Sequence, residues 1–205
     1  MIDRVEGIIL AAGLSRRMGR QKLLIRIGEQ TLIYRVVASA VESQLSDVTI
    51  VTGPRAHDLV AELDISDDHT KLRYVVNRHP ELGMSSSLRA GIASVRKQTV
   101  AAMIILADQP GLTFNIINEL ILAYHKHPQH IIVPTINNRR TTPVIFPRSL
   151  FPELLAVSGD VGGRSVVNAN PDLVVSVEMA SRYNDLDLDI PDDVRAFTNA
   201  MHKKQ

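Results

Sequence analysis

The sequence predicts an α/β fold built on one doubly wound, mostly parallel sheet with helices on both faces. Short runs of β-branched and aliphatic residues alternate with stretches whose apolar residues recur at helical spacing, the order expected of strand–helix–strand units. Those runs are apolar at nearly every position, as in Ala102-Met103-Ile104-Ile105-Leu106, which marks strands covered on both faces. The third observation is bulk. The 205 residues are 45% hydrophobic and 22% charged, enough core for one large domain and incompatible with a disordered chain.

In chain order, Ile8-Ile9-Leu10 forms the first strand, and Leu32, Val36, Val37, Ala40 and Val41 share one face of a helix. Val48 to Val51 form a strand closed by Gly53-Pro54, and Ala56 to Leu63 a short helix. Leu72 to Val76 is the third strand. Ser87 to Val95 is a helix, with one of the neighbouring serines as its N-cap. Ala102 to Leu106 is a strand, Phe114 to Tyr124 a helix and Ile131 to Val133 a strand. Farther on the rhythm loosens. Pro143 to Phe146 forms a strand, Leu150 to Val157 a short helix and Leu173 to Val177 a last strand. Gly159, Gly162 and Gly163 mark a flexible loop, and Pro191 opens a terminal helix. No repeat or linker divides the chain, so residues 1–205 are expected to be a single domain.

Lys and Arg number 23 against 22 Asp and Glu, a net charge of +1, so neither a nucleic acid nor a membrane is an expected partner. The absence of cysteine excludes disulfides, thiolate metal sites and a cysteine nucleophile. No apolar run reaches the roughly 18 residues that read as a membrane span, and Gly7 to Ala12 is too short for a signal-peptide core. The expected location is the cytoplasm.

Ligands of open α/β sheets bind outside the carboxyl ends of the strands, which directs attention to the loops there. After the first strand, Gly13 to Lys22 carries Arg16, Arg17, Arg20 and Lys22 and no acid. Ala11, Ala12 and Gly13 are small enough for backbone N–H groups to approach a ligand, and fixed donors with several cations suit a polyphosphate. The segment is neither a P-loop nor a Gly-x-Gly-x-x-Gly fingerprint, and a merely solvated basic loop is the other reading. Asp108, in Leu106-Ala107-Asp108-Gln109-Pro110, follows an apolar strand, where it is either a Mg²⁺ ligand or a turn former. In Asp185-Leu186-Asp187-Leu188-Asp189 the period of two puts three carboxylates on one side of an extended chain. Asp187 is the better metal candidate; Asp189, Asp192 and Asp193 suit the capping of a following helix. Ser86, in Gly83-Met84-Ser85-Ser86-Ser87, is either part of a cap or an anion contact. His125, His127 and His130 have poor metal-ligand spacing and are read as structural or solvated.

Together these residues resemble the MobA-like nucleotidyltransferases. Leu-Ala-Ala-Gly-x-Ser-x-Arg-Met-Gly-x-x-Lys at Leu10 to Lys22 is similar to the family signature. Gly83 to Gly91, Asp108-Gln109-Pro110, Pro143 to Phe146, Ser158-Gly159-Asp160-x-Gly162-Gly163-Arg164 and Asp187 to Asp193 follow in the family's order. Leu-Ala-Ala-Gly and Asp-Gln-Pro resemble the cytidylyl-transferring members, whereas guanylyl-transferring members tend to show Leu-Ala-Gly-Gly and Asp-Thr-Pro. One departure is Thr141-Thr142-Pro143, where the family often has Gly-His-Pro or Gly-Asn-Pro.

The resemblance implies a Rossmann-like nucleotidyltransferase fold and an enzyme that moves CMP from CTP to the terminal phosphate of the molybdopterin (molybdenum) cofactor, releasing pyrophosphate. It assigns catalysis to Arg17, Lys22 and Asp108, and Mg²⁺ to Asp108 and Asp187. Nucleotide binding falls to Leu10, Ala11, Ala12, Gly13, Ser15, Arg16, Lys22, Ser86 and Gln109, and acceptor binding to Asp160 and Arg164. The implied partners are CTP, the phosphorylated pterin cofactor and a molybdoenzyme that receives the product. Cytidylylation of another phosphate monoester, such as a sugar or polyol phosphate, is an alternative, as is a non-catalytic maturation factor. The catalytic residues are expected on loops, with Lys22 an exposed cation of little weight in folding. Asp108 is expected among other acids, so that neutralising it leaves stability unchanged or slightly raised.

Overall fold

Ile8 and Ile9 lie side by side in the first strand, yet each belongs to a different core. The same split recurs at Ile104 and Ile105, Ile131 and Ile132, and Val144 and Ile145. Successive side chains of a strand point to opposite faces, so a run apolar at every position needs cover on both. The computed structural model describes residues 4–13, 22–54, 56–63, 71–188, 193 and 197.

The strands of the main sheet are β1 (Arg4–Ala11), β4 (Asp47–Thr52), β5 (Leu72–Val76), β6 (Thr99–Leu106), β7 (Ile131–Ile136), β8 (Arg139–Arg140), β9 (Val144–Pro147) and β10 (Val174–Glu178). They form one eight-stranded sheet in the order β10-β7-β9-β6-β1-β4-β5, with β8 paired to β7. β5, β4, β1 and β6 are mutually parallel, as are β7 and β10. Only β8 and β9 run against their neighbours, β9 being antiparallel to both β6 and β7. The fold is therefore the expected mostly parallel, Rossmann-like α/β sheet with one reversed strand inside it.

One face packs α1 (Leu32–Glu42) and α4 (Phe114–Lys126) through Ile33, Val36, Val37, Ile117, Leu120 and Ile121. The other packs α3 (Met84–Ala93), α5 (Phe151–Ala156) and α6 (Arg164–Ala169) through Leu88, Ile92, Leu154, Val166 and Val167. Thr31 and Thr113 cap α1 and α4, accepting from the N–H groups of Tyr34 and Ile116. The short helix α2 (His57–Glu62) buries Leu59. A small hairpin absent from the sequence reading, β2 (Arg26–Ile27) and β3 (Gln30–Thr31), turns at Gly28, and α6 was likewise not expected. Of the expected terminal helix after Pro191 only Asp193 and Phe197 are described, and both are helical. No described helix is long and apolar enough to cross a membrane.

The amino-terminal edge of the sheet is held by charge. The Glu6 carboxylate, 1% exposed, receives the Arg73 guanidinium at 2.8 Å, the Arg96 N–H at 3.1 Å and the Thr99 hydroxyl. Arg96 also meets Asp47 at 2.8 Å.

At the opposite edge the β7–β8 turn is tied to β10 by Glu178. Asn137 and Asn138 both take positive φ, as a two-residue hairpin requires. The Glu178 carboxylate accepts from the Thr135 hydroxyl and from the N–H groups of Asn137, Ala180 and Asn138. These bonds, the Thr135 hydroxyl foremost, hold its pKa below the ordinary 4.5. A depressed carboxylate pKa contributes stability above the unfolded value and loses it as pH falls through the folded one. Amide protection at Asn137 and Asn138 is therefore expected to persist at pH 4.5 and to fail only in stronger acid, whereas Glu178→Gln lacks it already at pH 7. Hydrogen exchange on a descending pH series is the measurement.

Candidate functional site

Parallel strands β1, β4, β5, β6, β7 and β10 all end on one edge of the sheet. Because β9 runs the other way, its beginning faces that edge, as the pairing of Val144 with Ile104 near the end of β6 shows. Ala12 and Gly13, Asn77, Asp108 and Gln109, Thr142, and the segment from Tyr183 to Asp187 consequently gather along a single rim.

Lys22 opens a 3₁₀ turn, Lys22–Leu24, and its Nζ lies 2.9 Å from Asp108 Oδ2. The residue is 8% exposed. This corrects two expectations. Lys22 is a buried cation rather than an exposed one on a loop, and a positive charge sits against Asp108 where only carboxylates were foreseen. A buried ammonium needs a partner because desolvation is costly, and Asp108 supplies it. The Asp108 side chain keeps 30% exposure, so one side of the carboxylate faces solvent.

Segment 184–188 is locked to the turn after β6. The Leu188 N–H donates to the Asp108 carbonyl at 3.3 Å. A Cβ at Gly111 would lie 2.0 Å from the Asn184 carbonyl oxygen, so only glycine allows this approach. Gln109, 3% exposed, joins the two pieces through its side chain. Its Nε2 donates to Asp187 Oδ1 at 2.8 Å, while Oε1 accepts from Thr142 at 2.5 Å and from Tyr183 at 3.1 Å. Burial pushes the Tyr183 phenol far above its ordinary pKa, and the negative charges of Asp185, Asp187 and Asp108 add to the effect. All three carboxylates therefore act electrostatically on one hydroxyl. Asp185 is itself gripped by both oxygens, at 2.9 and 2.8 Å, by the Arg139 guanidinium from β8.

The helix α3 begins three residues earlier than expected, and no serine is its N-cap. Gly83 takes that position with φ 86°, where a Cβ would lie 2.9 Å from the Gly159 carbonyl oxygen. The helix is capped from the 159–163 turn instead: Met84 N–H donates to Asp160 Oδ1 at 3.0 Å and Ser85 N–H to Gly159 O at 3.2 Å. The Ser86 hydroxyl donates to the Gly83 carbonyl and accepts from buried Asn77, which also donates to Ser87. The turn read as flexible is thus bonded to α3, and Asp160 is occupied with a backbone N–H. Arg164 is exposed at the start of α6. Leu10 and Ala11 end β1, with buried Ala12 and exposed Gly13 following. Ser15, Arg16, Arg17 and Asp189 lie outside the described residues.

The sequence assigns no role to Asn77 or Tyr183 and marks Thr142 only as part of the departure from the family's tripeptide. Asn77 directly follows β5 and Thr142 lies two residues before β9, a place at the site edge that could have drawn attention to both. Among the described residues no three His, Asp or Glu side chains form a metal-binding group. Mg²⁺ is usually bound through one or two carboxylates together with substrate phosphates, and the part-exposed Asp108 and exposed Asp187 fit that demand. His125 and His127 are exposed, as expected.

Residues 7–174 match the MobA-like NTP transferase domain. The chain is 28% identical to nicotine blue oxidoreductase of Paenarthrobacter nicotinovorans, over 90% of this chain and 92% of that protein. It is 26% identical to purine catabolism protein PucB of Bacillus subtilis (strain 168), over 95% and 96%. It is 24% identical to molybdenum cofactor cytidylyltransferase of Escherichia coli (strain K12), over 94% of each. The crystal structure of the Rv0371c homologue from Mycobacterium sp. strain JC1 superposes with a TM-score of 0.84 at 28% identity, covering 98% of both chains. With the match running from β1 to the start of β10, and so over most of the sheet and over Ala12, Asn77, Asp108, Gln109 and Thr142 on its rim, the chain belongs to the MobA-like NTP transferase domain family.

Proposed function

We propose that this protein is a Mg²⁺-dependent cytidylyltransferase that moves CMP from CTP to the terminal phosphate of the molybdopterin cofactor. The observation that carries the reading is the Lys22–Asp108 pair at the carboxyl edge of the sheet, with Asp187 on the same rim. An oxygen of the acceptor phosphate forms a bond to the α-phosphorus of CTP, the bond from that phosphorus to the bridging oxygen breaks, and pyrophosphate leaves with the electron pair. A phosphate nucleophile is already anionic, so no base is needed; alignment and charge neutralisation are the protein's tasks. Lys22, held rigid by burial, places a cation beside the triphosphate, and Arg17 with Arg16 adds charge from the same segment. Asp108 and Asp187 would hold Mg²⁺, which when bound offsets charge on the phosphates. Ala12 and Gln109 stand where the cytidylyl-transferring members have them, and this supports CTP over GTP.

The names of the three relatives point to different substrates, so the acceptor is the finer part of the proposal. A molybdoenzyme is the proposed recipient of the product, and the cytoplasm the proposed location. The test is incubation with each of four nucleoside triphosphates, Mg²⁺ and purified molybdopterin cofactor, with mass analysis of the products. Pyrophosphate and a CMP adduct are expected with CTP alone, and calorimetry is expected to show CTP binding more tightly than GTP. An adduct formed on a sugar or polyol phosphate but not on the pterin reassigns the acceptor. No pyrophosphate with any nucleotide overturns the proposal.

A further inference from the structure

The carboxamide of Gln109 is engaged at both ends inside the protein. A carboxylate can only accept, so the amide edge facing Asp187 Oδ1 must be the NH₂ group. That fixes the other edge as the carbonyl, and both hydroxyls reaching it, from Thr142 and Tyr183, must donate. Every proton in the cluster therefore has one allowed position. Tyr183 is held in its neutral, donating form by burial and by the three nearby carboxylates. Gln109 and Tyr183 are buried, 3% and 4% exposed, whereas Asp187 is exposed. A rigid, dry support thus ends in a carboxylate that meets solvent.

We infer that Gln109 is a positioning residue: with its amide oriented by Thr142 and Tyr183, it holds the Asp187 carboxylate for a divalent cation. This deepens the proposed function and rests on its reading of Asp187 as a cation ligand. Outer partners of metal ligands fix ligand orientation and typically change metal affinity by 10–100-fold. Thr142 is the point at which this chain departs from its family's usual tripeptide, so the device is built from this chain's own residues.

The experiment measures Mn²⁺ binding by water-proton relaxation, in the full chain at saturating CTP, for Thr142→Val, Thr142→Ser, Gln109→Glu and Asp187→Asn, with a thermal melt of each. The expected result is Mn²⁺ binding weakened about tenfold by Thr142→Val and by Gln109→Glu, and restored toward wild type by Thr142→Ser. CTP affinity measured without metal is expected to change little in Thr142→Val and Thr142→Ser. Unchanged Mn²⁺ binding in folded Thr142→Val overturns the inference, as does full retention in Asp187→Asn. A chain that shows the Mn²⁺ pattern yet transfers no nucleotide leaves the inference standing and removes the proposed reaction. If Gln109→Glu does not fold, Thr142→Val and its serine rescue decide the matter, since a lost hydroxyl is the smaller change.

Discussion

Lys22→Ala is expected to lower turnover by about a hundredfold or more, the scale seen when one electrostatic donor is removed from a preorganised site. The partner variant Asp108→Asn is expected to be equally poor in catalysis but worse for folding. The asymmetry follows from burial: Lys22 keeps 10% of its side chain exposed, and Asp108 keeps 30%. When Lys22 is removed, the remaining carboxylate can recruit water. When Asp108 is neutralised, an ammonium stays in place without the carboxylate charge 2.9 Å away. We expect Asp108→Asn to cost about 1–3 kcal/mol and to lower the melting temperature by roughly 5 °C, with Lys22→Ala costing less. Turnover assays beside thermal melts of both variants check this. Equal melts with wild-type turnover would show that the pair has no part in the site.

The largest effect on stability is expected from Glu6→Ala, at the opposite edge. Glu6 is essentially inaccessible and binds Arg73, the Arg96 backbone and Thr99 at once. Its loss removes the carboxylate that joins the starts of β1, β5 and β6 and leaves polar partners behind in a dry environment. The expected cost is about 3–5 kcal/mol, a fall in melting temperature of roughly 10–15 °C. Below the melt, activity is expected to remain near wild type, because no member of this network lies on the carboxyl-end rim where the site is proposed. A denaturant titration with a turnover assay at 20 °C separates the two effects.

The strands and long helices were legible because their residues obey one rule along their whole length. Ile8-Ile9-Leu10, Val48 to Val51 and Ala102 to Leu106 are apolar on both faces, and α1 and α4 show the helical repeat. What stayed hidden depends on contacts distant in sequence. The start of α3 is fixed by Asp160, 76 residues from Met84, so local capping rules pointed to the wrong residue. The burial of Lys22 is decided by Asp108, 86 residues away. A charge run looks wet until its fold-brought partner is known. Gln109 was legible as a motif residue, yet nothing local could show that its amide is turned toward Asp187. The reversed strand was equally invisible, since β9 has the same composition in either direction.

That reversed strand has a consequence for the order in which the molecule can be assembled. β9 sits between β6 and β7, so those two strands never pair, and until residues 144–147 dock the sheet exists as two separate ladders. On a ribosome the first ladder is complete at Leu106, and it must wait about 40 more residues for its neighbour, a few seconds at ordinary synthesis rates. Throughout that interval the free edge is Thr99–Leu106, an apolar strand with unsatisfied backbone groups, and such edges recruit other chains. The short strand Val144–Pro147 acts as a keystone: it closes both ladders in one step and removes the stickiest edge the growing chain presents.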